Sequence, residues 1–189
     1  GGELRIVHYQ SPDRLKMAER KVWQGHGWTT GRAVATGDID GDGAIEVLVG
    51  GNTNNPTKDP VTGVWYFGPH KAYLRAFEWD GTRLIPDGET AWIPHQWTEA
   101  SIEAVSIGDL DGDNIPEIVC GGYVSDNVAQ EEKAWMDVLA WPSLSLRGRK
   151  IWTSGTAVYG NLDDIEIADV DQDGKIEIVT AAHMRTSWY

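Results

Sequence analysis

An acidic nine-residue motif occurs three times in this 189-residue chain and constrains its fold more than any other feature. Places 1, 3 and 5 of the motif are aspartate, and place 9 is glutamate. The copies begin at Asp38, Asp109 and Asp169. An alternating or apolar segment precedes each copy and a second one follows it. The pattern therefore predicts a strand, an acidic loop and a strand, repeated three times.

Two aromatic positions recur with the motif. An alternating segment ends in an aromatic residue 28 to 30 residues before each copy, and a tryptophan follows each of these segments. The residues are Tyr9, Trp79 and Trp141 for the first position, and Trp23, Trp92 and Trp152 for the second. Each repeat thus has four extended segments: A before the acidic loop, B after it, C ending in the aromatic residue, and D around the tryptophan. Turn sequences separate them, and residues 52–60 predict a long loop.

Four strands in a unit of about 60 to 70 residues are typical of propeller blades. We therefore expect an all-β fold, a β-propeller-type array of four-stranded antiparallel blades with about three repeats and permuted ends. The single array, residues 1–189, divides into a half-blade (C and D) at 1–30, repeats at 31–100 and 101–160, and a half-blade (A and B) at 161–189. Three explanations of the half-blades stay open: a fragment of a longer propeller, head-to-tail pairing of copies into a ring or filament, or a compact three-blade variant.

The acidic motif is a ligand set suited to Ca²⁺, which takes about 6 to 8 oxygen ligands. Alternate residues of a tight loop direct their carboxylates at one centre. Place 7 supplies a backbone carbonyl in such loops, and place 9 a glutamate carboxylate. The predicted ligands of three Ca²⁺ ions are Asp38, Asp40, Asp42, Ala44 and Glu46; Asp109, Asp111, Asp113, Ile115 and Glu117; and Asp169, Asp171, Asp173, Lys175 and Glu177.

The loop differs from a helix–loop–helix calcium site, because place 12 is not glutamate in any copy and lies in segment B. Place 6 must turn sharply, which suits Gly43 and Gly174 and, among other residue types, Asn114. The alternative is three Asp-Gly surface turns that bind no ion. Four carboxylates within nine residues repel one another without a cation, and this favours the metal site.

The first copy reads Gly37-Asp-Ile-Asp-Gly-Asp-Gly-Ala-Ile-Glu46-Val-Leu-Val-Gly-Gly51, and together with the other two it resembles FG-GAP (VCBS-like, integrin-alpha-type) repeats. The resemblance covers nearly the whole chain and implies four-stranded propeller blades with calcium in the A–B turn. The third copy departs from it at Ala168 and Ala181-Ala182, where glycine is usual, and the Phe-Gly and Gly-Ala-Pro signatures are absent. The aromatic-rich repeats are similar to those of prokaryotic surface proteins, which implies an extracellular, cell-surface location.

Charge and motifs exclude several function classes. Lys and Arg number 16 and Asp and Glu 29, and the net charge of −13 argues against nucleic acid and anionic membranes as partners. Four acids in each of three motifs account for twelve of the 29, and three Ca²⁺ ions would bring the net charge to −7. No apolar run approaches the roughly 20 residues of a membrane helix. One cysteine excludes a disulfide scaffold, and no nucleophile, phosphate-loop or zinc-enzyme motif occurs, so we expect no enzyme.

These observations predict an extracellular calcium-binding structural, adhesion or assembly module. Its partners would be protein or glycan at the cell surface, or further copies of the chain. The ten tryptophans support one alternative, a lectin-like carbohydrate-binding propeller, and an accessory domain of a larger surface enzyme is another. His26 and His95, each within Trp-x-x-His-x-Trp, would either line a sugar-binding rim or pack between blades with hydrogen-bonded imidazoles.

Overall fold

A computed structural model describes residues 1–10, 14–23, 28–94, 97–129, 131–152 and 159–186. Every regular element within these ranges is a β-strand. The described residues accordingly contain no helix with the length and apolarity needed to cross a membrane. The strands are β1 (Gly2–Gln10), β2 (Arg14–Trp23), β3 (Thr29–Gly37), β4 (Ile45–Thr53), β5 (Pro56–Lys58), β6 (Trp65–Phe67), β7 (Lys71–Trp79), β8 (Leu84–Trp92), β9 (Glu99–Gly108), β10 (Glu117–Asp126), β11 (Glu131–Ala140), β12 (Ser145–Ile151), β13 (Tyr159–Ala168) and β14 (Glu177–Arg185).

The strands form antiparallel sheets of two to four strands, so the all-β, antiparallel part of the prediction is confirmed. We name four of these sheets. The first pair is β1–β2, the first sheet is β3-β4-β7-β8, the second sheet is β9-β10-β11-β12, and the last pair is β13–β14. Each four-stranded sheet contains segments A, B, C and D in that order. The first pair contains only C and D, and the last pair only A and B.

The loop predicted over residues 52–60 is wrong in part. Asn52 and Thr53 complete β4, and Pro56–Lys58 form β5, which pairs with β6 as a small separate hairpin. The burial of Asn52 and Thr53 is tolerated because their polar side chains have hydrogen-bond partners. The Asn52 amide donates to the Ser101 hydroxyl at 3.0 Å, and the Thr53 hydroxyl lies 3.1 Å from that of Thr29.

Three apolar layers hold the four sheets in a stack. Between the first pair and the first sheet, Trp23 packs near Phe77, with ring centroids 5.3 Å apart. Between the two four-stranded sheets lies the largest cluster, which includes Leu48 and the fully buried Trp135. Between the second sheet and the last pair, Val119 packs with residues that include Leu162. The alternation of each strand thus places one apolar set against the preceding sheet and the other against the following sheet.

A β-bulge occurs at the same place in each A–B strand pair. The bulged residues are Arg32, Glu103 and Asp163, which stand six residues before the motif and have no direct partner across the pair. The Gly-Gly sequences of the first two copies lie opposite the bulge. A Cβ at Gly51 would lie 1.7 Å from the carbonyl oxygen of Thr30, so this position admits only glycine as the backbones stand.

Candidate metal sites in the three acidic loops

The acidic motifs form loops between the A and B strands of the first sheet, the second sheet and the last pair. Place 12 lies within β4, β10 and β14, which confirms that each motif joins two strands rather than two helices. Place 6 has a positive φ in all three loops, as expected: 89° at Gly43, 66° at Asn114 and 87° at Gly174. Place 4 also has a positive φ in all three loops, at Gly41, Gly112 and Gln172, which the sequence did not predict; glutamine rarely adopts this conformation.

Backbone amides fix the carboxylates in the same way in every loop. The place 1 aspartate accepts a hydrogen bond from the place 6 N–H, at 3.0 Å in the first loop, 2.8 Å in the second and 2.9 Å in the third, in chain order. The place 3 carboxylate accepts from the place 5 N–H, and the place 5 carboxylate from the place 7 N–H, at 2.7 to 3.2 Å. The place 9 glutamate reaches back across the loop to the place 2 N–H at 2.8 to 3.0 Å. Each carboxylate still has lone pairs for a further partner.

The loops bring carboxylate oxygens together in groups of three, all within 4.8 Å of one another. The groups are Asp38, Asp40 and Asp42; Asp109, Asp111 and Glu117; and Asp169, Asp171 and Glu177. The other predicted side-chain ligands, Glu46, Asp113 and Asp173, lie in the same loops and accept backbone N–H groups. The backbones of Ala44, Ile115 and Lys175 donate to the place 5 aspartates, and their carbonyls as ligands stay a prediction. Oxygen-only groups of this kind could hold a hard metal ion.

Electrostatics differ between the first and third loops. Burial raises the pKa of Glu46, and the neighbouring carboxylates of Asp40, Asp42 and Asp38 raise it further against the lowering effect of the Ile39 N–H. A divalent cation would relieve this concentration of negative charge.

In the third loop a positively charged side chain of the protein itself lies close to the carboxylates. The Lys175 ammonium donates to Asp173 at 2.9 Å, and this contact, followed by the Lys175 backbone N–H, lowers the pKa of Asp173. The sequence predicted a role only for the backbone carbonyl at place 7, whereas the Lys175 side chain contacts a predicted ligand.

A cleft opens beside the first loop, where the first and second sheets meet. Its volume is about 420 Å³, and its lining includes Asp40, Asp87, Glu89, Thr90 and Trp141. Burial raises the pKa of Asp87, and the carboxylates of Asp40 and Asp42 add to the effect. The sequence predicts a turn at Pro86-Asp87-Gly88, and this prediction is wrong because the three residues lie within β8. Nothing in the local sequence relates Asp87 to a loop about 45 residues earlier.

A single buried carboxyl group, that of Glu132, lies between the second sheet and the last pair. Glu132 is 7% exposed, and its Oε1 has no hydrogen-bond partner among the described residues. Burial raises the pKa of Glu132 to about 7, against the lowering effects of a hydrogen bond with Tyr159 and of the nearby His183. The sequence pattern of β11 did not predict that Glu132 is buried, because a glutamate at the end of a strand is usually exposed.

His26 and His95 lie outside the described residues, so the structure leaves both interpretations of them as predictions. Comparison of the chain with models of known protein families finds no match. Comparison with curated proteins finds none either.

Proposed function

We propose that the protein is an extracellular calcium-binding structural module, in which Ca²⁺ organises the A–B turn of each blade of a propeller-type array. The observation that carries the proposal is the threefold recurrence of one loop geometry. Three independent segments place three carboxylates within 4.8 Å while backbone amides hold their orientation. Surface turns that bound no ion could also use aspartates to accept backbone N–H groups, but they would leave the repulsion between three carboxylates within 4.8 Å without a cation to offset it.

The residues fit Ca²⁺ better than softer metals. All donors in the three groups are carboxylate oxygens, and no histidine or cysteine belongs to any group found among the described residues. Bound ions would join two strands at each turn and would offset the mutual repulsion of the carboxylates. We expect each site to bind Ca²⁺ with a Kd of about 10⁻⁴ to 10⁻³ M, the range of extracellular calcium modules.

The test is a calcium titration of metal-stripped protein by calorimetry, together with thermal melting. We expect three binding events and a marked rise of Tm, since one site at a free concentration of 100 times Kd adds about 2.7 kcal/mol. Mg²⁺ should restore Tm poorly because it demands a smaller octahedral shell. A melting curve that is the same with Ca²⁺ and after chelation would refute the proposal.

Variants make the assignment specific. Asp40→Asn, Asp111→Asn and Asp171→Asn should each remove one binding event and leave the other two. Asp59→Asn is the matched control, because Asp59 also accepts backbone N–H groups in a turn but belongs to no motif. Its titration should equal that of the unmodified protein.

The cleft beside the first loop supports a second candidate function, carbohydrate binding. A volume of about 420 Å³ is large enough for a sugar unit, Trp141 offers an aromatic face, and Asp87 and Thr90 offer polar groups. Titration with a panel of neutral sugars, followed by tryptophan fluorescence, tests it. Trp141→Leu should abolish the response and Trp28→Leu, at an exposed tryptophan outside the lining, should not. No response to any sugar would exclude this function.

A further inference from the structure

The first pair and the last pair are complementary halves of a sheet that the molecule shows whole twice. Both four-stranded sheets run A–B–C–D, the last pair supplies A and B, and the first pair supplies C and D. Within the described residues, β14 pairs only with β13, and β1 only with β2. We propose that β14 of one copy pairs antiparallel with β1 of a second copy, so that a composite four-stranded sheet joins copies head to tail.

The two complete sheets give the register of this pairing. In both, the place 9 glutamate is opposite the residue just before the aromatic that ends segment C, as Glu117 is opposite Ala140. When the same rule is applied to β14 of one copy and β1 of the second copy, Glu177 lies opposite His8. It follows that Ile178 lies opposite Val7, Val179 opposite Ile6, and Thr180 opposite Arg5, because antiparallel partners shift by one residue on each strand.

This register places apolar side chains on the correct faces. Ile178 packs against the second sheet of its own copy, and Ile6 against the first sheet of its own copy. Directly opposed residues point to the same face of a sheet. Val7 of the second copy would therefore cover the second sheet of the first copy, and Val179 would cover the first sheet of the second copy. A slip of one residue would reverse both.

The exposure of equivalent residues identifies the same faces. Val179 is 45% exposed, whereas Leu48 and Val119, at the same place in the two sheets, are fully buried. Val7 is 47% exposed, whereas Phe77 at the same place in the first sheet is fully buried. At place 2 of the motif, Val170 is 59% exposed and Ile39 is fully buried. The side chains exposed at the ends are those that a following or preceding sheet covers in the interior.

Charge also favours a second copy as the occupant. The bulged residues of neighbouring sheets come within reach of each other, since Arg32 of the first sheet contacts Glu103 of the second at 3.2 Å. The bulged residue of the last pair is Asp163, whose carboxylate accepts from the Asn161 amide and lies 2.7 Å from Nδ1 of His183, and which has lone pairs for a further donor. In the composite arrangement the next bulged residue is Arg32 of the second copy, so each such arginine would lie between two carboxylates of opposite charge to its own.

The proposal extends the structural role proposed above, but its test does not depend on the identity of the metal. Single variants Arg5→Cys and Thr180→Cys are prepared and mixed under oxidised glutathione, and products are resolved on a non-reducing gel. The buried Cys120 stays in place. We expect a cross-linked species of two chains in the mixture and its near absence from either variant alone. Arg5→Cys mixed with Val179→Cys is the control, because Val179 points to the opposite face in this register.

A chain that carries both Arg5→Cys and Thr180→Cys distinguishes pairing between copies from pairing within one. We expect a ladder of dimers and larger species. A cross-link within single chains, no cross-link in the mixture, or equal cross-linking in the out-of-register control would overturn the proposal. Calcium binding measured on the same samples keeps the two proposals separate, because three binding events without cross-linking would contradict the assembly alone.

Sedimentation of the unmodified chain against concentration gives an independent measurement. Val179→Asp should weaken self-association by at least about tenfold, since it puts a charge into the face that the second copy covers. The side chain is exposed in the single chain, so the variant should fold. Val61→Asp, at a valine that is 90% exposed in the turn between β5 and β6, should associate like the unmodified protein. A chain that stays monomeric at every concentration would contradict the pairing.

Discussion

The second sheet and the last pair contain the same A strand, acidic loop and B strand, but their equivalent side chains differ in burial. Val119 is fully buried and Val179 is 45% exposed. In both loops the place 6 N–H donates to the place 1 aspartate and the place 2 N–H to the place 9 glutamate, so the loops are held alike where they join their strands. The difference in burial arises because, among the described residues, the second sheet packs against a sheet on each face and the last pair packs only against the second sheet. The local sequence sets the shape of a repeat, and its neighbours set how much of it is buried.

The largest expected effect concerns the glycines opposite the bulge. Gly51→Ala should lower the free energy of unfolding by about 3 kcal/mol, because its Cβ would meet the Thr30 carbonyl oxygen at 1.7 Å. Ala182 already occupies this place in the last pair. Ala182→Gly should therefore change stability by no more than about 1 kcal/mol. Urea unfolding of both variants measures this, and an equal effect of the two would show that the pairs do not differ at the bulge.

The next effect tests the burial difference directly. Val119→Ala should cost about 2 kcal/mol, from the loss of two buried methyl groups and the resulting cavity. Val179→Ala, the same change at the equivalent place, should cost well under half as much under conditions where the chain is monomeric. Chemical unfolding at low protein concentration measures both. At high concentration the cost of Val179→Ala should rise if copies associate, and equal costs at low concentration would contradict the comparison.

A third prediction concerns pH and the buried carboxyl group between the second sheet and the last pair. The folded state retains a proton on Glu132 up to a pKa of about 7, whereas its ordinary pKa is 4.5. The charged and titratable groups near it include Tyr159, His183, Glu103 and Glu99. Stability from this group is therefore complete below about pH 4.5 and is lost as pH rises to about 7. The slope is no more than about 1 kcal/mol per pH unit after solvent screening.

Glu132→Gln should remove this slope, since glutamine does not titrate. The measurement is the free energy of unfolding from pH 4.5 to 8, taken as the difference between variant and unmodified protein so that other groups cancel. Glu131→Gln, at the exposed neighbour, is the matched control. Parallel pH profiles for Glu132→Gln and the unmodified protein would contradict the prediction.

The smallest effect separates the third loop from the second. Lys175→Ala should increase calcium affinity at the third loop by about two- to fivefold, because the ammonium group no longer competes for Asp173. Ile115→Ala makes the equivalent change in the second loop and removes no charge, so affinity there should stay unchanged. Calorimetric titration at low ionic strength measures both. A fall in affinity on Lys175→Ala would show that the ammonium group assists binding.

Much of the fold was predictable because its signals are local. Alternation of apolar residues identified the strands, and positive φ at Gly43 and Asn114 followed from residue types that accept it. The sequence did not predict which carboxylate completes each close group, the place 5 aspartate as in the first loop or the place 9 glutamate as in the other two. The choice depends on how each loop closes on its strands. The extension of β4 through Asn52 was missed because its amide is satisfied by Ser101 on another sheet.

The sequence by itself determined three copies of one strand–loop–strand unit and the acidic groups that each loop presents. These properties depend on residues within about ten positions of one another, so spacing alone defines them. Only the tertiary structure decided which copies are interior, where the bulges place Arg32, Glu103 and Asp163, and which apolar faces stay exposed. Those properties depend on neighbouring sheets, and a side chain is buried only when another surface lies against it.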